Sequence, residues 1–292
     1  MSKYSIKDLE QLSGIKAHTL RIWEQRFNFI SPERTDTNIR FYNDKDLKLV
    51  LNIALLKDHG YKISEIAQMN YEELNDEVLS LSEKQLNYPD QIQALTVAMI
   101  EIDEDAFDKV MTENIRQFGF ENTMINIIYP FLIKIGTLWV TGTIGPAQEH
   151  FITQLIRQKI IVAIDTMPRN PKPNARKFVI YTPESEFHDV SILFAYFILK
   201  SRNQKVYYFG QSLPFQDLEF IINKHDPDYI FTAITSLPTH ADVQRYVDRV
   251  STTYPKVQLY LTGMQIIGQG LKLNTNVEIV NKIQDLIEIA EQ

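Results

Sequence analysis

The chain has 292 residues, enough for two or three domains that each bury a hydrophobic core. Its hydrophobic content of 44% and charged content of 23% are ordinary for a globular protein, and no run of about 18 apolar residues predicts a membrane span. The absence of cysteine excludes disulfides, thiol nucleophiles and Cys-ligated metal sites, and the polar N-terminus is unlike a signal peptide, so we expect a cytoplasmic location.

The net charge of −7 is unevenly distributed along the chain. Residues 1–70 hold 11 Lys and Arg against 9 Asp and Glu, a balance of +2, whereas residues 71–292 hold 19 against 28, a balance of −9. A surface that coats nucleic acid over its whole area is therefore excluded. The distribution fits a small DNA-facing domain attached to an acidic body.

The first 75 residues have the pattern of a winged helix-turn-helix. Amphipathic helical segments alternate with short polar turns, and a turn-rich stretch ends in a short strand, as a wing does. The predicted elements are, in order, a helix over 5–12, a turn at 13–14, a helix over 17–26, a wing over 31–42, and helices that start near residues 43 and 61.

From about residue 71 to residue 167 the pattern is helical, with breaks at 87–89, 119 and 142–146. Four helices of this length predict a bundle, which we place at residues 76–170. The segment from Pro168 to Pro173 is rich in proline and cannot be helical. It predicts a boundary before the last domain.

Residues 174–292 predict an α/β domain, because short β-branched and aromatic runs alternate with segments of helix length. The pattern indicates a doubly wound, flavodoxin-like parallel sheet of five strands, in which ligands bind beyond the carboxyl ends of the strands. The predicted strands are 177–182, 206–209, 229–234, 257–261 and 278–280. The fold class is thus multidomain, α and α/β.

The second helix and the wing carry candidate DNA contacts. Trp23 and Leu20 are placed to lock the second helix against the first, which leaves its basic side chains exposed to a groove. Over residues 3–70 this arrangement resembles the DNA-binding domain of the MerR family. The resemblance implies double-stranded DNA as a partner. The expected contacts are His18, Arg21, Arg26, Arg34, Thr35, Arg40 and Tyr42.

A tryptophan and an acid–histidine pair flank the last break in the predicted bundle. Trp139 precedes the break, and Glu149 and His150 follow ten and eleven positions later, after Pro146 opens a helix. This spacing resembles the helical cap of cobalamin-binding photoreceptor regulators of the MerR class. The resemblance implies that Trp139 covers the upper face of a corrin ring and that Glu149 and His150 lie near its upper axial ligand. Taken singly, these residues fit a core tryptophan and a helix-surface acid better than a ligand site.

A second histidine follows the first predicted strand of the α/β domain. A neutral imidazole there, with an acid two residues earlier to accept its other N–H, is what a lower axial cobalt ligand needs. The stretch Glu186-Phe187-His188 resembles the Glu/Asp-x-His-x-x-Gly motif of cobalamin-binding domains. The resemblance implies that His188 binds the cobalt of a cobalamin. It also implies further cofactor contacts, namely Glu186, Ser191, Thr232, Thr262 and Gly263.

Four parts of the sequence depart from the pattern of these cobalamin domains. Ser191 stands in place of the motif's glycine, Thr232-Ala233-Ile234 in place of Ser-x-Leu, and Thr262-Gly263 in place of Gly-Gly. Val140 occupies the position of a second histidine in light-sensing members. The larger side chains narrow the space for the nucleotide tail of a cobalamin, which must lie close to backbone.

Two functions therefore stay open. The first is a DNA-binding transcription regulator that senses a corrinoid such as adenosylcobalamin, and light through it, and changes its oligomeric state. It would act as a homodimer or homotetramer on an inverted-repeat operator, with the ligand between the bundle and the sheet. The second is a cobalamin-independent regulator whose degenerate cobalamin fold is an oligomerisation or protein-interaction scaffold. An enzyme lacks support because no substrate-binding catalytic domain accompanies the module.

Overall fold

The computed structural model describes residues 4–27, 29–30, 32–34, 38–58, 60–74, 77–78, 88–140, 143–168, 171–236 and 239–291. The chain forms two compact units, Met1–Thr153 and Gln154–Gln292. Among the helices in these ranges, none combines the length and the apolar character that crossing a membrane requires.

The first unit begins with the helix-turn-helix and its wing. Its elements are α1 (Ile6–Ser13), α2 (Ala17–Phe27), β1 (Glu33–Arg34), β2 (Arg40–Phe41), α3 (Asp44–Asp58) and α4 (Ile63–Ile66). A capping box between Ser5 and Asp8 starts α1, and Gly14 ends it with a φ of 73° that favours glycine. β1 and β2 pair antiparallel and form the wing. These elements match the predicted ones to within one or two residues.

The rest of the first unit is helical. The helices are α5 (Tyr88–Glu101), α6 (Glu104–Phe118), α7 (Phe120–Thr123), α8 (Tyr129–Val140) and α9 (Pro146–Asp165), and α9 continues into the second unit. Asp103 caps α6 through the backbone N–H of Ala106. The predicted break at Gly119 is confirmed, since this residue ends α6 with a φ of 78°.

The sequence pattern does not reveal a wide helical turn between α7 and α8. Met124–Ile128 form a π-helical segment, so the chain is helical without interruption from Phe120 to Val140. The side chains of Thr123 and Asn126 donate to the carbonyl oxygens of Gly119 and Asn122, at 2.8 and 3.0 Å. Such bonds compete with the regular helical ladder, which hydrophobic periodicity cannot show.

The second unit contains the predicted five-stranded parallel sheet. Its elements are β3 (Lys177–Pro183), α10 (Val190–Ser201), β4 (Lys205–Leu213), α11 (Phe215–His225), β5 (Tyr229–Ala233), α12 (His240–Thr253), β6 (Gln258–Thr262), β7 (Val277–Ile279) and α13 (Ile283–Glu291). The strand order is β4-β3-β5-β6-β7, with every neighbouring pair parallel. This is the doubly wound, flavodoxin-like order, so the predicted fold class is confirmed.

One side of the sheet forms a continuous apolar core with α11 and α12. Val179, Ile230 and Leu259 from the strands pack with helix residues that include Leu218 and Val247. β4 is four residues longer at its carboxyl end than predicted, because its pairing with β3 continues through register shifts beyond Gly210. The polar composition of this extension hid it from the sequence pattern.

Candidate functional site

The buried face of α2 fixes the position of this helix. Leu20 and Trp23 are 2% and 5% exposed, and the ammonium group of Lys57 lies 5.1 Å from the centroid of the Trp23 ring. Glu10 on α1 accepts hydrogen bonds from the backbone of Ala17 and from Lys16, both at 3.0 Å, which lower the pKa of its carboxyl. The turn between the two helices is therefore tied at the start of α2.

The outer face of α2 carries the basic residues that the sequence selects. His18, Arg21 and Arg26 all have exposed side chains. The Arg26 guanidinium lies 5.3 Å from the centroid of the Phe27 ring. Its N–H groups therefore lie near the C-terminal end of α2. The helix can therefore present cations to a groove, and the contacts themselves stay predictions.

The wing positions two arginines opposite each other. Arg34 on β1 pairs with Arg40 on β2, and both are exposed. Arg34 donates to the side chain of Asn38 at 2.6 Å, and Arg40 lies 3.5 Å from the carboxylate of Glu24 on α2. Thr35, the third candidate in the wing, lies outside the described residues.

Tyr42 is buried, whereas the sequence suggests an exposed residue of the wing. It is 2% exposed, its backbone pairs with that of Tyr4, and its hydroxyl donates to Glu24 at 3.5 Å. Burial, followed by the nearby charge of Glu24, raises the pKa of this phenol. In this structure Tyr42 supports the wing from inside, since strand pairing turns its ring into the core.

Trp139, Glu149 and His150 all lie on helices of the first unit. Trp139 is 46% exposed near the end of α8, an unusual exposure for so large a ring. Glu149 ends the first turn of α9 and His150 follows it, with His150 Nδ1 3.5 Å from a carboxylate oxygen of Glu149. Gly142 and the Val140 side chain lie outside the described residues, and the convergence of the three side chains on one ligand stays a prediction.

The connection from α8 to α9 contacts the helix-turn-helix. Thr143 donates to Asp8 of α1 at 3.3 Å, and Gln148 donates to the hydroxyl of Tyr4 at 3.5 Å. The Tyr4 hydroxyl in turn donates to Asp44 at the start of α3, at 2.9 Å. Thr143 and Gln148 therefore contact the helix-turn-helix and the residue that precedes it, which sequence spacing could not indicate.

Glu186 forms the centre of the site at the carboxyl edge of the sheet. Its side chain is fully buried, and it accepts hydrogen bonds from the backbone and ring of His188, at 3.0 and 2.7 Å. The backbones of Thr235 and Ser236 donate to it at 2.7 and 2.6 Å, and the Ser236 hydroxyl donates at 3.0 Å. Burial alone raises the pKa of Glu186, but these donors, led by His188, lower it to about 2.

This carboxylate sets the state of the His188 ring. An ionised carboxylate can only accept, so the proton of the imidazole lies on Nδ1. The His188 side chain is 58% exposed, whereas Glu186 has no exposed surface. A carboxylate that holds one ring nitrogen makes the other a better metal ligand. A metal bound in a macrocycle can take one imidazole as its ligand from the protein.

Sequence reasoning missed Thr235 and Ser236, which hold Glu186 from the loop after β5. The only signal was that small polar residues directly follow a buried strand. Since parallel strands end at the same edge of a sheet, such residues are placed to meet a group that follows a neighbouring strand.

The other candidate cofactor contacts lie at the same carboxyl edge of the sheet but differ in solvent exposure. Ser191 is half-buried in the first turn of α10, and Thr232 is completely buried near the end of β5. Thr262 accepts a hydrogen bond from the backbone of Ile234 at 2.9 Å. Gly263 has a φ of 109°, and a Cβ there would lie 2.3 Å from the Ile234 carbonyl oxygen. Gly263 is therefore required for contact between two loops.

Comparison with known proteins finds two family matches, both within the first 163 residues. Residues 4–72 match the family of MerR helix-turn-helix regulatory proteins, and residues 91–163 match the B12 binding domain family. The second match covers most of α5, all of α6 to α8 and most of α9, and it includes Trp139, Glu149 and His150.

Two transcriptional repressors of Myxococcus xanthus align with most of the chain. CarH is 24% identical over 259 residues, which cover 87% of this chain and 86% of CarH. CarA is 25% identical over 230 residues, which cover 77% of this chain and 74% of CarA. The regulator MlrA of Escherichia coli is 32% identical over 69 residues, which cover 24% of this chain and 28% of MlrA. The chain is a transcription regulator that joins a MerR-family helix-turn-helix domain to a B12-binding domain.

Proposed function

We propose that this chain regulates transcription in response to a corrinoid, which it holds through His188. The observation that carries the proposal is the pair formed by His188 and Glu186, 2.7 Å apart at the carboxyl edge of a flavodoxin-like sheet. Burying an ionised carboxylate costs free energy unless hydrogen bonds compensate it, and here five donors do so. The same carboxylate orients one exposed imidazole. An oriented and exposed imidazole is better explained by ligand binding than by a role in core packing.

Each residue then has a defined task. His188 would hold the cobalt through Nε2, because Nδ1 donates its proton to Glu186. A bound corrinoid would supply a metal that takes one imidazole and carries an exchangeable group. Trp139, Glu149 and His150 are our proposed contacts for the corrin ring and its exchangeable group, and adenosylcobalamin is the form we favour. Ser191, Thr232, Thr262 and Gly263 are the proposed contacts for the nucleotide tail.

The proposed output is DNA binding through α2 and the wing. The exposed arginines of both elements support contact with double-stranded DNA, base edges from α2 and phosphates from the wing. We further propose that ligand binding, and light where the ligand is light-sensitive, changes the oligomeric state. Such a change would alter how two winged domains occupy paired half-sites.

A second function is favoured by the closed edge of the sheet. Thr232 is fully buried, and the loops after β5 and β6 are in backbone contact through Ile234, Thr262 and Gly263. A tail that must enter between these loops would have to separate them. This packing supports a corrinoid-independent regulator in which the α/β domain is an interaction scaffold.

Titration with adenosylcobalamin in the dark tests the proposal. The wild type, His188→Ala and the control His240→Ala are mixed with the cofactor, freed of unbound cofactor and compared by visible absorption. We expect the wild type and the control to bind alike and His188→Ala to bind more than about 10-fold more weakly. Equal binding by all three would remove His188 from the site. No binding by the wild type would favour the scaffold.

A further inference from the structure

The residue after His188 is held by a buried ion pair that neither the motif nor the resemblance assigns. The Asp189 side chain is only 3% exposed, and its carboxylate lies 2.9 Å from the guanidinium of Arg157 on α9. The Tyr208 hydroxyl, on β4, donates to the same oxygen at 3.5 Å. The Asp189 backbone carbonyl accepts from Leu193 at 2.8 Å and so begins α10.

Arg157 is arranged for this one carboxylate. Its other terminal nitrogen donates to Gln154 at 2.9 Å on the same helix, and its side chain is 26% exposed. Tyr208 stacks on Tyr196, with ring centroids 5.2 Å apart. Burial, followed by the charge of Asp189, raises the pKa of Tyr208, so this phenol stays a neutral donor. The pair thus joins α9, β4 and the His188 loop.

His188 is consequently anchored through both of its flanks. Glu186, two residues earlier, ties the loop to the segment after β5. Asp189, one residue later, ties it to α9. A loop held at only one end would let the imidazole move by an ångström or more, and metal ligands require closer placement than that.

We infer that Arg157 and Asp189 are positioning residues for His188, and that they couple ligation at His188 to α9. The inference rests on the proposed function, because it takes His188 to be the cobalt ligand. A buried ion pair resists separation, because moving either partner away leaves a charge without its counter-ion. Any displacement of the His188 loop on cobalt binding is therefore passed to Arg157. That residue lies on the same helix as Glu149 and His150.

The first test reads the ligand atom directly. Full-length protein labelled with 15N-histidine is loaded with cob(II)alamin, and electron paramagnetic resonance distinguishes a 15N axial ligand, a doublet, from a 14N ligand, a triplet. We expect a doublet for the wild type and for the surface control Gln158→Ala. Arg157→Gln should lose part of the doublet and bind cob(II)alamin roughly 10-fold more weakly. Arg157→Lys, which keeps the charge, should recover most of both.

The second test needs no corrinoid. Hydrogen exchange of the segment 184–190 is compared in the wild type, Arg157→Gln, Gln158→Ala and the double variant Arg157→Gln with Asp189→Asn. The double variant leaves no unpaired charge, so it stays testable if the single variant unfolds. We expect faster exchange in this segment in both Arg157→Gln proteins and unchanged exchange in the strands. Unchanged exchange in the segment 184–190 would overturn the inference, whatever the result with cob(II)alamin.

The two tests separate the two hypotheses. A triplet from the wild type contradicts the assignment of His188 as the cobalt ligand, and with it the proposed function. A wild-type doublet that Arg157→Gln retains in full, at unchanged affinity, contradicts only the positioning role.

Discussion

Arg21 and Arg40 represent the two kinds of DNA contact that the first domain offers. Arg21 is exposed on α2, where a side chain can reach a base edge. Arg40 is on the wing and shares Glu24 with Tyr42, so its guanidinium is held at the junction of wing and helix. A phosphate bound at Arg40 would therefore compete with Glu24 for the same cation.

Alanine substitutions should separate these two contacts. We expect Arg21→Ala to weaken binding to the chain's own promoter DNA by roughly 1–3 kcal/mol and to relax its sequence preference. Arg40→Ala should weaken binding to all sequences alike and reduce the dependence on salt, because it removes a phosphate contact. Fluorescence anisotropy at several salt concentrations measures both, with Arg116→Ala on α6 as the control. A double variant that binds like the control would contradict the assignment.

Glu186 makes the α/β domain sensitive to acid. Its pKa of about 2 in the folded protein is below the usual value of 4.5, so the ionised form is the one that folding favours. The stabilisation is fully present above pH 4.5 and is lost as the pH falls from 4.5 toward 2. Its size is up to about 3 kcal/mol, from the difference between the two pKa values.

Glu186→Gln should remove this pH dependence. At pH 6 we expect the variant to show faster hydrogen exchange than the wild type in the segment 229–236, whose last two residues donate to the carboxylate. Near pH 3 the difference should shrink, because the wild-type carboxyl is losing its advantage. Glu184→Gln, an exposed neighbour, is the control. A constant difference between wild type and Glu186→Gln across this range would show that the charge of Glu186 is not what stabilises the loop.

At the scale of elements, the loops after β5 and β6 depend on one glycine. Gly263 combines a positive φ with a Cβ position 2.3 Å from backbone, whereas Gly268, with a φ of 74°, has open space around it. Gly268→Ala should therefore cost only about 1 kcal/mol, from backbone strain. Gly263→Ala should cost roughly 2–4 kcal/mol, because backbone must also shift. Urea unfolding measures both variants, and equal costs would mean that the contact with Ile234 relaxes easily.

The five strands were predictable because buried parallel strands are short β-branched and aromatic runs, such as Phe178 to Tyr181. The extension of β4 was not, since Gly210 and its polar neighbours pair only through register shifts. The π-helical segment leaves the apolar periodicity intact and was equally hidden.

The pair of Glu186 and His188 was predictable because its members are two residues apart and local sequence determines their contact. The donors from Thr235 and Ser236 were not, since they lie 49 and 50 residues from Glu186 along the chain. Tyr42 illustrates the opposite case, a polar residue whose burial depends on pairing with Tyr4.

At the scale of the whole molecule, charge and domain size favour a paired assembly. The first 70 residues carry a balance of only +2, and the remainder carries −9. One small winged domain buries too little surface, and neutralises too few phosphates, for tight specific binding. A second copy on a two-fold-related half-site would supply the missing contacts.

We therefore expect the working unit on DNA to be at least a dimer, on an inverted repeat. Light scattering of the DNA complex should give a protein mass of at least twice the 34.0 kDa chain. Footprinting should protect two half-sites separated by about one helical turn or a multiple of it. Both measurements are made with and without adenosylcobalamin, in the dark and after illumination, since the proposed ligand response is a change in this assembly. A monomer that protects a single half-site under all four conditions would contradict the prediction. A constant dimer would retain the paired site and remove oligomerisation as the response to the ligand.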